Sequence, residues 1–124
     1  MKKILLADDN KELCSALCLM LETRLGYETI TEARDMEHVL AQVEDSPPCC
    51  IILDWELPGR PTRERVTVLR ALAPRLKVIV ISARPESKTE AIAEGADAFI
   101  SKTESPDKIV EIIQKFCMGD EESK

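Results

Sequence analysis

Cys49-Cys50-Ile51-Ile52-Leu53-Asp54 is the stretch that decides the fold. An apolar run of strand length, without alternation, ends abruptly on a carboxylate. Unbroken runs of this kind suit strands covered on both faces of a parallel sheet. Ile4-Leu5-Leu6-Ala7, Val78-Ile79-Val80-Ile81 and Ala98-Phe99-Ile100 have the same character. The segment from Tyr27 to Glu32 instead alternates Glu28, Ile30 and Glu32 with Tyr27, Thr29 and Thr31, and reads as an edge strand.

Helical patterns separate these runs. Leu13, Ala16, Leu17, Met20 and Leu21 fall on one face of a helix that stops before Gly26. Ile109, Ile112, Ile113 and Phe116 repeat the pattern after Ser105 as N-cap and Pro106 at the first helical position. Ser87 with Glu90 resembles a capping box for another helix, and shorter patterns predict helices over about 35–43 and 63–72. Strand and helix thus alternate five times, which implies right-handed crossovers. The expectation is an α/β fold: a doubly wound five-stranded parallel sheet in the flavodoxin-like order 2-1-3-4-5, with helices on both faces.

The chain has 124 residues, enough for one domain. A domain of that size buries roughly two-thirds of the surface its unfolded chain exposes, so it needs no staple to fold. Residues 1–118 are assigned to this domain and 119–124 to a flexible acidic tail. With 17 basic and 23 acidic side chains the formal charge is -6. An acidic chain without a basic stripe is a poor direct nucleic-acid binder, because phosphate neutralisation supplies most of that affinity. Nothing reads as a membrane span or signal peptide, and five cysteines without framework spacing fit a reducing cytoplasm.

Chemistry gathers at the strand ends. The first strand ends in Asp8-Asp9, the third in Asp54, the fourth in Ser82 and the fifth in Lys102. In a parallel sheet all of these lie at the carboxyl edge, where open α/β folds bind ligands. The first and third strands are neighbours at about 4.8 Å, so Asp8, Asp9 and Asp54 converge. A hard divalent cation such as magnesium is the usual compensation for such a cluster. Lys102 lies two strands from Asp54, roughly 10 Å away, within reach of a long side chain only. A carboxylate nucleophile, a cation, a hydroxyl and an ammonium are the parts of a site that binds and transfers a phosphoryl group.

In these features the chain resembles the receiver domains of two-component response regulators, over residues 3 to about 116. The resemblance rests on Leu6-Ala7-Asp8-Asp9-Asn10, on Ile52-Leu53-Asp54 with Leu57-Pro58-Gly59, on Ser82-Ala83, and on Gly95-Ala96-Asp97-Ala98-Phe99-Ile100-Ser101-Lys102. Each is weak alone; together and in order they are specific. The resemblance implies that Asp54 takes a phosphoryl group from a histidine kinase or phosphotransfer protein. It implies a Mg2+ ion at Asp8, Asp9, Asp54 and Glu56, bound directly by Asp9, mainly through water by Asp8, and by the backbone carbonyl of Glu56. Lys102 contacts a phosphoryl oxygen, Ser82 turns toward the attached group, and Phe99 rotates inward behind it. A phosphoryl group adds roughly 1.5 to 2 negative charges, which biases a loop with two arrangements and so a protein-interaction face. The partner at that face is a downstream protein or an output domain, and the domain is a signalling phosphoacceptor rather than an enzyme of turnover.

Several positions depart from the family pattern. Thr103 follows the lysine where many receivers have a proline, so a trans bond is expected there. Lys102-Thr103-Glu104-Ser105-Pro106 is more like receivers of the quorum and nitrate-response regulators, which carry helix-turn-helix outputs. Phe99 lacks the hydroxyl of the tyrosine common at its place, Trp55 is bulkier than usual, and Glu56 and Arg84 are expected to tune the loss of the phosphoryl group to water.

Plainer readings stand beside these. Asp8-Asp9 alone would be a solvated helix N-cap, Lys102 a surface lysine and Ser82 a strand-end hydroxyl. Cys14 and Cys18 read as half-buried thiols, Cys49 and Cys50 as packing residues and His38 as an ordinary helix-surface residue. Asp54-Trp55-Glu56 faintly resembles haloacid-dehalogenase-type phosphatases, which would show steady turnover of phosphate esters. A binding module that uses the fold without phosphorylation is the other alternative; the complete acidic set argues against it. A homodimer could form through the fourth and fifth helices or through the first and fifth.

Overall fold

A computed structural model describes residues 3–118. The assigned tail at 119–124 lies outside the described residues. Five strands, β1 (Lys3–Ala7), β2 (Thr29–Ala33), β3 (Cys50–Asp54), β4 (Lys77–Ser82) and β5 (Ala98–Ser101), alternate with α1 (Lys11–Leu25), α2 (Met36–Asp45), α3 (Arg65–Leu72), α4 (Lys88–Ala93) and α5 (Pro106–Ile113). All four strand pairings are parallel, and the order is β2-β1-β3-β4-β5, as expected from the sequence.

Alternate residues of each apolar run point to opposite faces, and two cores result. Ile4, Leu6, Ile52, Ile79 and Ile81 pack with Leu17, Leu21, Ile109 and Ile113 of α1 and α5. Leu5, Ile51, Leu53, Val78 and Val80 pack with Met36, Val39, Val66, Leu69 and Ala91 of α2, α3 and α4. This two-sided burial is why the runs do not alternate. β2 is covered less completely, and its burial is partial at Thr29, Ile30 and Thr31.

The helix ends follow local chemistry. Asn10, Asp35 and Ser105 cap α1, α2 and α5 with side-chain oxygens that accept backbone N–H bonds from Leu13, His38 and Lys108. Gly26 closes α1 at φ 67°. Ser87 does not cap α4: the chain enters that helix through a 3-10 turn at Pro85–Ser87, and the Ser87 hydroxyl makes no cap bond. A π-helical turn, Gln114–Met118, continues α5. Tyr27 falls before β2 and is buried in the α1–α5 core.

The cysteines require a correction. Cys50 is not only a packing residue, because a disulfide joins it to Cys117 across 6.1 Å between Cα atoms. Cys49 is exposed, its thiol donating to the Lys3 carbonyl. Cys14 is buried and Cys18 partly so, and burial pushes the Cys14 thiol up to about 11. His38 lies on the exposed surface of α2, its ring 3.0 Å from the Gln42 amide.

Candidate functional site

Strand register builds the site. Ala7 pairs with Leu53, so Asp8 and Asp54 follow side by side at the carboxyl edge. Asp54 pairs with Ile81, and Ser82 with Ser101, which brings the ends of β4 and β5 alongside. Carboxylate oxygens of Asp8, Asp9 and Asp54 come within 4.8 Å of one another. Asp8 and Asp54 are buried and Asp9 is exposed.

Lys102 reaches back across the site. Its Nζ lies 3.0 Å from Asp8 Oδ2 and 3.3 Å from Asp54 Oδ2. Burial pushes the Asp54 carboxyl above its ordinary range, as does the Asp8 charge. The Glu56 N–H, 3.0 Å from Asp54 Oδ1, and the Lys102 ammonium oppose that rise. For Lys102 burial works to lower the pKa, but the hydrogen bond to Asp8 and the two carboxylate charges outweigh it and hold the ammonium above its usual value. The site therefore holds more acid than one ammonium neutralises. Three clustered carboxylates are hard oxygen donors of the kind Mg2+ prefers.

Ser82 is fully buried, and its hydroxyl donates to Glu56 Oε2 at 2.7 Å. The Ala83 N–H donates to Glu56 Oε1 at 3.3 Å, and the Arg84 N–H donates to Ser82 Oγ at 2.9 Å. The sequence placed Glu56 near the site but not on Ser82, because their contact spans two loops. Arg84 meets the site through its backbone. Phe99 is half-buried against the α2–α4 core and lines a cleft of about 440 Å³ with Ile92, Ile112 and Phe116. Trp55 donates its indole N–H to Glu90 Oε1 of α4 at 2.7 Å.

Among the described residues the one cis peptide is Arg60–Pro61, so Lys102–Thr103 is trans as expected. The Gly95-Ala96-Asp97 motif has a framework role: Gly95 turns at φ 111°, and Asp97 accepts from the Val78 N–H and from Arg70. Sequence reading passed over Arg65. It is a buried arginine at the start of α3, just past the loop that follows Asp54, within a helical pattern that makes it look like a surface residue.

A family model described as the response regulator receiver domain matches residues 4–114. The chain belongs to the response regulator receiver domain family. Among curated relatives, this receiver is 31% identical over 118 residues to the transcriptional activator protein ExaE of Pseudomonas putida, covering 94% of this chain and 55% of the relative. It is 29% identical over 113 residues to the phosphate regulon transcriptional regulatory protein PhoB of Klebsiella pneumoniae, covering 88% of this chain and 48% of PhoB. The receiver therefore spans about half the length of these relatives. Among solved structures, a CheY-like receiver domain protein of Methanospirillum hungatei superposes with a TM-score of 0.84 at 26% identity, over 100% of this chain and 99% of that one. The response regulator TrrA of Thermotoga maritima, in complex with Mg2+ and BeF, gives 0.80 at 27% identity, over 94% of this chain and 99% of its own. Among the described residues no helix is long and apolar enough to cross a membrane.

Proposed function

We propose that this receiver accepts a phosphoryl group on Asp54 from a histidine kinase or phosphotransfer protein. The observation that carries the reading is the meeting of Asp8, Asp9, Asp54 and Lys102 at the carboxyl edge of the sheet. Asp54 Oδ attacks phosphorus in line, and the kinase histidine or small-molecule leaving group departs. Asp8, Asp9, Asp54 and the Glu56 carbonyl would hold Mg2+, which would supply positive charge to offset that of the phosphoryl group. That the similar TrrA was solved in complex with Mg2+ and BeF supports magnesium as the ion. Lys102 leaves its ion pairs to contact a phosphoryl oxygen. Ser82 turns from Glu56 to the new group, and Phe99 follows inward from the cleft it lines.

The consequence is a changed face around α4, β5 and α5 that meets an output domain or a downstream protein. The domain phosphorylates itself from small acyl phosphates and loses the group slowly to water, at a rate that Glu56 and Arg84 tune. Its setting is the cytoplasm, where histidine kinases present their phosphoryl groups.

The test is incubation with acetyl phosphate and Mg2+, followed by intact mass. One phosphoryl adduct that requires Mg2+ and is lost in Asp54→Ala supports the reading. An unmodified wild-type chain in saturating Mg2+ and donor sinks it, and continuous phosphate release from added esters would favour the phosphatase reading instead.

A further inference from the structure

Arg65 is the feature that neither the family pattern nor the acidic cluster explains. It opens α3 yet is only 6% exposed. Among the described residues no carboxylate lies within ion-pairing distance of it; its guanidinium instead faces backbone oxygen. Nε donates to the Pro61 carbonyl at 2.8 Å, and Nη1 to Trp55 at 3.3 Å. Nη2 donates to Leu57 at 2.6 Å and to Gly59 at 3.2 Å. A planar fork of donors is suited to gathering several carbonyls at once, where a lysine ammonium is not.

The carbonyls of this loop can be followed one by one. Asp54 O accepts from the Leu57 N–H, and Pro58 O from the Met36 N–H at the start of α2. Trp55, Leu57 and Gly59 are held by Arg65. From Asp54 to Gly59 that leaves Glu56 as the one carbonyl with no protein partner among the described residues. Glu56 is an exposed residue, so a carbonyl without a protein partner there is open to a ligand from solvent, and its two pinned neighbours fix its orientation.

We infer that Arg65 is a positioning residue for magnesium: by clamping the carbonyls of Trp55 and Leu57, it presents the Glu56 carbonyl to the ion held by Asp8, Asp9 and Asp54. The inference rests on the magnesium reading of the cluster given above. Its burial, which works to lower the arginine pKa, fits a group kept for geometry rather than for charge in solvent. Outer-shell partners of metal ligands commonly matter nearly as much as the ligands themselves.

The test is Mg2+ binding by isothermal titration calorimetry on the metal-free protein, with thermal unfolding alongside. The chains are wild type, Arg65→Met, Arg65→Lys and Val66→Ala. Val66 is buried beside Arg65 on the same helix, so its truncation weakens the fold without touching the carbonyl clamp. Arg65→Met is expected to weaken Mg2+ affinity by about tenfold, the low end for loss of an outer-shell partner, with Arg65→Lys weakened too. Val66→Ala should lose thermal stability and keep wild-type Mg2+ affinity. If Arg65→Met does not fold, Arg65→Lys decides by the same measure. Wild-type Mg2+ affinity in folded Arg65 variants overturns the inference, as does an equal loss of affinity in Val66→Ala. No Mg2+ binding by wild type overturns the magnesium reading itself.

Discussion

Replacing Glu56 with alanine should make the site easier to occupy with a phosphoryl group. In the structure the Ser82 hydroxyl is engaged by Glu56 Oε2 at 2.7 Å, and the adjoining Ala83 N–H by Oε1 at 3.3 Å. On the proposed function a phosphoryl group on Asp54 draws on that hydroxyl, so the carboxylate must first be displaced. A hydrogen bond to a charged group contributes about 1.5–3 kcal/mol, and Glu56 is exposed, so about 1 kcal/mol is a fair measure of the displacement cost. That corresponds to about a fivefold gain in affinity for beryllofluoride at saturating Mg2+ when the carboxylate is removed. Trp55 fluorescence can follow the titration. The same substitution in a Ser82→Ala background should gain less, because the bond it releases is already gone. An equal gain in both backgrounds would mean that Glu56 acts by charge repulsion alone, and no gain in either would refute the competition altogether.

Two further outcomes follow from the geometry. Burial holds the Asp54 carboxyl above its ordinary range, so folding disfavours its ionised form; that cost is present above the folded pKa and fades as pH falls through it. Asp54→Asn should therefore stabilise the metal-free protein at neutral pH, with the gain shrinking on acidification in urea titrations across the carboxylate range. Gly59 turns at φ 102°, and a Cβ there would collide with the Glu37 side chain and the Met36 backbone nitrogen. Gly59→Ala should cost about 2–3 kcal/mol by chemical denaturation, and a cost under about 0.5 kcal/mol would show that the loop shifts freely.

Much of this was legible in the chain because the strands are short, apolar and end on chemistry. Once Ile51-Ile52-Leu53 is read as a buried strand, Asp54 falls at its carboxyl end, and the same logic places Asp8, Ser82 and Lys102. The reach of Lys102 across two strands follows from sheet spacing and is met in the ion pairs with Asp8 and Asp54. Caps at Ser105 and Gly26 are local and so were readable, whereas the Ser87-Glu90 box failed because Pro85 starts a 3-10 turn ahead of α4. What could not be read depends on contacts distant in sequence. Cys50 meets Cys117 across 67 positions, and Glu56 meets Ser82 across 26. Arg65 is close in sequence to the carbonyls it binds, but no side-chain pattern reports where a loop turns its backbone.

The most direct test of the central claim locates the phosphoryl group. The protein is phosphorylated with acetyl phosphate and Mg2+, the acyl phosphate is reduced with borohydride, and the peptides are sequenced by mass spectrometry. The account predicts reduction at position 54 and nowhere else. Reduction at position 8 or 9, or none after a demonstrated adduct, would contradict it.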